Sequence, residues 1–174
     1  MPVLYSIPVD LSLSNTVSVY SGSTWPPNLV SAYAASDPLT FVLQYSGGTY
    51  TYYEYTLWFA SRQIPSGSTV ESVTLYAYVS YASIVNSPIY LRVEFQVGGT
   101  WYLLYPVTAL QVTSAGQTLS TGLGNLLNVG SSTLFKLRPV RQSDLAPTAP
   151  NQFNVPLSQI WLEVAVTGGI QMIV

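Results

Sequence analysis

The stretch Val3–Val19, VLYSIPVDLSLSNTVSV, decides how the rest of the chain is read. Its odd positions are almost all apolar: Val3, Tyr5, Ile7, Val9, Leu11, Leu13, Val17 and Val19. Its even positions are mostly small or polar, with Leu4 and the odd-numbered Asn15 as the exceptions to the pattern. A period of two means extended backbone with one buried face and one wet face. At about 3.3 Å per residue the stretch would run roughly 50 Å, longer than most strands of a compact domain. Such an arm has two outcomes. It bends near Pro8 or Asn15 into two strands of its own sandwich, or residues 2–14 leave and add a strand to a neighbouring subunit. Pro8 has no N–H for a ladder, which argues against one uninterrupted central strand. The reading taken is the second, with Val3, Tyr5, Ile7, Val9, Leu11 and Leu13 as the inter-subunit side chains. The chain then divides into an extended arm over residues 1–14 and a β-sandwich domain over 15–174. Met1 opens the arm directly, so no cleaved leader is expected.

Composition supports assembly more than chemistry. Of the 174 residues, 48% are hydrophobic and only 7% are charged, against about 25% charged in ordinary domains. The length suffices for a real core. No uninterrupted apolar run approaches the roughly 18 residues of a membrane helix, so no membrane insertion is expected; a transmembrane barrel, whose strands also alternate, is the membrane alternative. Five bases cannot form a phosphate track, so nucleic acid is not an expected partner. There is no Cys and no His, which removes disulfides, thiolate chemistry and the commonest general base. A surface this poor in charge invites association. The expected partners are therefore copies of the chain itself.

The rest of the chain reads as strands and turns, with no sustained helical period. Leu39–Tyr45 and the aromatic-rich Thr49–Ala60 flank Gly47-Gly48, a hairpin signal. In 64–83, Val73, Leu75, Ala77 and Val79 point one way while Thr74, Tyr76, Tyr78 and Ser80 point the other. Ile89–Val97 alternates too, and Gly98-Gly99 turns it into Thr100–Val107 as an antiparallel partner. Residues 114–131 read as a long loop or a short irregular strand pair, with a short helix near Leu123–Asn128 as an option. Leu134–Val140 and Ile160–Val166 are strands. Gln142–Asn154 reads as loop, with one helical turn at Ser143–Leu145 capped by Ser143 or Asp144. Ile170–Val174 is a short apolar tail. The fold class is all-β: an antiparallel two-sheet β-sandwich, most plausibly a jelly roll, with an extended N-terminal strand.

Three phrases, IPSGSTVESVTLYAYV at 64–79, SDLAP at 143–147 and SQIWLEVAV at 158–166, resemble the jelly-roll β-sandwich subunits of archaeal and viral surface filaments and virion appendages. They are patterns of turn and alternation rather than reactive residues, and cover about the last two-thirds of the chain. The resemblance implies a structural or attachment subunit at a virion surface or outside the cell. It also implies a fold in which an N-terminal strand completes a neighbour's sheet.

The acids are Asp10, Asp37, Glu54, Glu71, Glu94, Asp144 and Glu163. Glu94 and Glu163 fall on strands, facing away from the apolar side, where a glycosidase pair would sit. The plainer reading pairs Glu94 with Arg92 and leaves Glu163 on the surface. No metal-ligand spacing, phosphate loop or activated nucleophile stands out, so the expectation is no catalytic residue, no metal and no cofactor. Tyr76, Tyr78, Tyr90, Trp101 and Trp161 are candidate glycan-stacking or interface aromatics. The expected function is a non-enzymatic filament subunit polymerising by strand addition from the arm. The alternatives are a module binding host-surface glycans, or a capsid or turret protein.

Overall fold

The computed structural model describes residues 1–168; the tail expected at Ile170–Val174 lies outside the described residues. Strands form where apolar residues recur every second position, and the glycine turns end them. In chain order they are β1 Val3–Pro8, β2 Thr16–Gly22, β3 Asn28–Ala34, β4 Leu39–Ser46, β5 Thr49–Phe59, β6 Thr69–Val79 and β7 Tyr81–Ser83. They continue as β8 Ile89–Val97, β9 Thr100–Leu104, β10 Gln111–Val112, β11 Gln117–Gly122, β12 Thr133–Val140, β13 Asn151–Val155 and β14 Ile160–Thr167. Every ladder between these strands is antiparallel.

Two sheets pack face to face. The smaller has the order β1-β14-β6-β11. The larger runs β10-β8-β12-β5-β4-β13-β7, with β9 added beside β8 and the β2–β3 hairpin added beside β5. The inward side chains are those the alternation selected: Val73, Leu75, Ala77 and Val79 from β6, and Ile89, Leu91, Val93 and Phe95 from β8. All five phenylalanines are buried. Phe41 stacks on Phe153 at 4.8 Å between ring centroids, and Phe59 and Phe95 both meet Phe135. The chain is thus an antiparallel two-sheet β-sandwich.

Three local expectations are corrected. Asn151–Val155, read as loop, is β13, with Asn151, Phe153 and Val155 buried against β4. Pro150 and Pro156 at its ends conceal a short strand that alternates. Residues 123–128 contain no helix: Leu123 and Gly124 instead exchange backbone hydrogen bonds with Val73, which holds this segment extended beside β6. The turn in 142–145 is a single 3₁₀ turn at Gln142–Asp144 without a side-chain cap. Ser143 and Asp144 there have φ of 58° and 52°, a left-handed conformation that cannot propagate a right-handed helix. Strand β3 was not anticipated; its sequence NLVSAYA lacks a clean alternation because it has no buried face.

Candidate assembly interface

The arm is the place where sequence and structure meet. Residues 3–8 pair with the chain's own β14 in the register Val3↔Val166 through Pro8↔Trp161, so β1 is an edge strand of the smaller sheet. Ile7 and Val9 are buried in the core, Tyr5 is half-buried, and Val3 and Leu4 are exposed. The period-two pattern then stops at Asp10. Its Oδ1 accepts from the Ser12 N–H at 3.1 Å, closing an Asx-type turn. Asn15 completes the bend: its Nδ2 donates to the carbonyls of Asp10 and Leu13, and its Oδ1 accepts from the Trp58 N–H at 2.8 Å. Leu11 and Leu13, which parity sets on the arm's apolar face with Ile7 and Val9, therefore sit on a loop at 73% and 41% exposure. The arm runs along β14 from Val166 to Trp161. Its middle is anchored in the core, and its exposed apolar residues lie beyond either end of that buried middle.

The anchor is polar as well as apolar. The Asp10 side chain is buried and accepts from Arg62 Nε at 2.7 Å, Ser132 Oγ at 2.6 Å and Ser12 Oγ at 2.6 Å. The Arg62 guanidinium, with these hydroxyls, outweighs the cost of burial and holds the carboxyl well below the usual carboxylate range. Sequence reasoning missed this pair. Its signal was there: Asp10 is the only charge in the first 36 residues, and Arg62 is the only base before Arg92.

At the Pro8 pole the surface opens into a groove of about 500 Å³. Leu11, Leu13, Tyr33, Ala34, Ala35 and Leu157 line it. A neighbouring hollow of about 300 Å³ shares Leu11 and Leu157 with it and continues past Pro8 and Asp37. Beside the groove runs β3, which pairs only with β2 and has all seven residues exposed. It carries no charge and no proline, the usual devices that keep an edge strand from pairing with another chain; a bulge at the Val19/Tyr20 step of its ladder is its one irregularity.

The candidate aromatics do not form one platform. Tyr76 and Trp161 stack at 5.1 Å and 9° on the outer face of the smaller sheet, with Tyr78 one step along β6. Trp101 lies on the other sheet, its ring under the Lys136 ammonium at 4.5 Å. Tyr90 is buried. Tyr52 is buried elsewhere, between the stacked Tyr20 ring and the Arg138 guanidinium, and desolvation pushes its hydroxyl up to about 12.

Four of the five bases gather on or beside the outer face of the larger sheet. The register sets Lys136 opposite Glu94 and Arg138 opposite Arg92. Arg138 Nη2 donates to Asp144 Oδ2 at 2.6 Å, and Arg92 lies 3.7 Å from Glu94. Burial pushes the Glu54 carboxyl up. Arg92 Nε, Arg138 Nη1 and Asp144 Oδ1 are buried without a hydrogen-bond partner among the described residues. Glu94 and Glu163 belong to different sheets, so they do not form a carboxylate pair. Among the described residues no three His, Cys, Asp or Glu side chains converge to hold a metal ion, and no helix is long and apolar enough to cross a membrane. Concentrating charge here leaves the groove lining and β3 without a charged side chain.

No protein family, characterised protein or solved structure matches this chain.

Proposed function

We propose that the chain is a non-enzymatic structural subunit that polymerises with copies of itself through its N-terminal arm, by strand addition into a neighbour, as part of a filament outside the cell or on a virion. The observation that carries this reading is the division of the arm. Ile7, Val9 and Asp10 fix it to its own subunit, while Met1, Val3 and Leu4 are exposed at one end of it and Leu11 and Leu13 at the other. Two different surfaces at opposite ends of the arm make a head-to-tail contact, which builds a filament where the rotation between copies does not close a ring. The uncharged edge β3 gives such a chain a physical motive for controlled pairing. The extracellular or virion setting rests on the resemblance of 64–79, 143–147 and 158–166 to appendage subunits. Removal of residues 1–4 leaves Ile7 and Val9 in place; sedimentation velocity should then show folded monomers where the full chain polymerises. Unchanged polymers would remove the arm from the account.

A second reading, attachment to surface glycans, draws on the Tyr76–Trp161 stack with Tyr78 beside it. Aromatic faces of this kind hold sugar rings. A glycan array read with wild type and Trp161→Ala tests it: saturable binding lost in the variant supports attachment, and no binding leaves the stack as cross-strand packing.

A further inference from the structure

The groove at the Pro8 pole and the outer edge of β3 beside it have no occupant among the described residues. We infer that they receive residues Met1–Leu4 of a second copy, laid as an extended segment against Ala32–Ala35; this rests on the polymerising reading above and names its acceptor. Four observations converge on that occupant.

The first is position. Val3 pairs opposite Val166 and Pro8 opposite Trp161, so five steps of strand, about 17 Å at 3.3 Å each, separate the arm's tip from the groove of the same subunit. With Ile7 and Val9 held in the core, the tip cannot fold back to fill it; another copy's tip meets no such restraint. The second is the surface offered. Leu4 is 66% exposed, and Met1 and Val3 are exposed beside it. These are apolar side chains at one end of β1, and the groove at the other offers Leu11, Leu13, Tyr33 and Leu157 to them beside the uncharged polar Ser14, Asn15 and Thr16. The third is the backbone. Among the described residues β3 pairs with β2 alone, so its outer N–H and C=O groups can take an added strand, and main-chain bonds of this kind supply affinity while side-chain pockets supply register. The fourth is charge. No side chain of Met1–Leu4 and none of the six groove residues named above is charged, so the Met1 α-amino group is the one ion of the tip that the contact must keep solvated.

The absence of cysteine makes the test direct. Two single-cysteine variants of the full chain, Leu4→Cys and Ala34→Cys, are mixed under mild oxidation and read on a non-reducing gel. Leu4→Cys mixed with Ser120→Cys, an exposed site on the outer face of the smaller sheet, is the control. The expected result is a mixed disulfide at least ten times more abundant with Ala34→Cys than with Ser120→Cys. In parallel, Leu13→Glu, at an exposed loop position that a folded chain tolerates, should abolish polymers while leaving the monomer's unfolding transition in place. Equal cross-linking at positions 34 and 120, with polymers persisting in Leu13→Glu, overturns the groove as acceptor but leaves arm-mediated polymerisation standing. Failure of the unmodified chain to polymerise, together with equal cross-linking, overturns both.

Discussion

Arg62 Nε donates to Asp10 Oδ2 at 2.7 Å, tying the arm to the turn after β5 across 52 residues of sequence. The bond is asymmetric. Asp10 is buried at the end of β1, whereas about half of the Arg62 side chain is in water. Loss of the carboxylate should therefore hurt more than loss of the base. Asp10→Asn keeps the shape but gives up charge-assisted bonds from Arg62 and Ser132. It should cost about 1–2 kcal/mol, at the low end for hydrogen bonds to charged groups because Arg62 is solvated. Arg62→Ala should cost less. Urea unfolding of the two variants beside wild type checks the order.

The same bond sets a pH dependence. The Asp10 carboxyl titrates lower when folded than when unfolded, so its contribution is complete above the unfolded value of about 3.9 and is lost as pH falls toward the folded one. The stability gap between wild type and Asp10→Asn should shrink below about pH 4. Glu54 carries the opposite sign. Burial raises its folded pKa, so its ionised form costs stability at neutral pH and the cost disappears on acidification. Glu54→Gln should be more stable than wild type at pH 7, with the difference gone below about pH 4. Thermal melts at several pH values separate the two behaviours.

Ile7 is fully buried although it lies on an edge strand near the chain's beginning. Ile7→Ala should cost about 2–5 kcal/mol, the range for truncating a core aliphatic. Val3→Ala, two residues earlier on the same strand but exposed, should stay within about 0.5 kcal/mol of wild type. Denaturant midpoints for the pair show whether the arm's middle is the anchor while the side chains of its tip contribute little.

Arg138 is buried between the Tyr52 ring and Asp144, with its guanidinium 4.6 Å above the ring centroid. Arg138→Ala should destabilise by about 2–3 kcal/mol, below the usual loss for breaking a fully buried pair because Asp144 is partly solvated. Arg138→Lys should recover little of this, since an ammonium lacks the planar fork that stacks on tyrosine while reaching a carboxylate. Chemical unfolding of both variants reads the difference.

The sandwich was legible wherever one face of a strand is buried, as in Val73–Val79 and Ile89–Val97, because a two-residue period is the direct mark of that environment. It failed where a strand is exposed or too short for the period to show, as at β3 and β13. β3 is exposed on both faces, and β13 is five residues between prolines. The arm was legible as extended chain. Its bend at Asp10 was not, because Leu11 and Leu13 keep the apolar parity although the Asx turn has already taken them out of the ladder. The groove could not be read at all: it joins Leu13, Tyr33 and Leu157 from three separated segments. The aromatic set was legible by residue type alone, and burial of Tyr90 with Trp101 on the other sheet follows from topology that a single strand's pattern does not contain.

Negative-stain electron microscopy of the purified full-length chain across a concentration series tests the central claim most directly. The account predicts long filaments of uniform width that grow with concentration and are absent when residues 1–4 are removed. Monodisperse single particles at every concentration would contradict it.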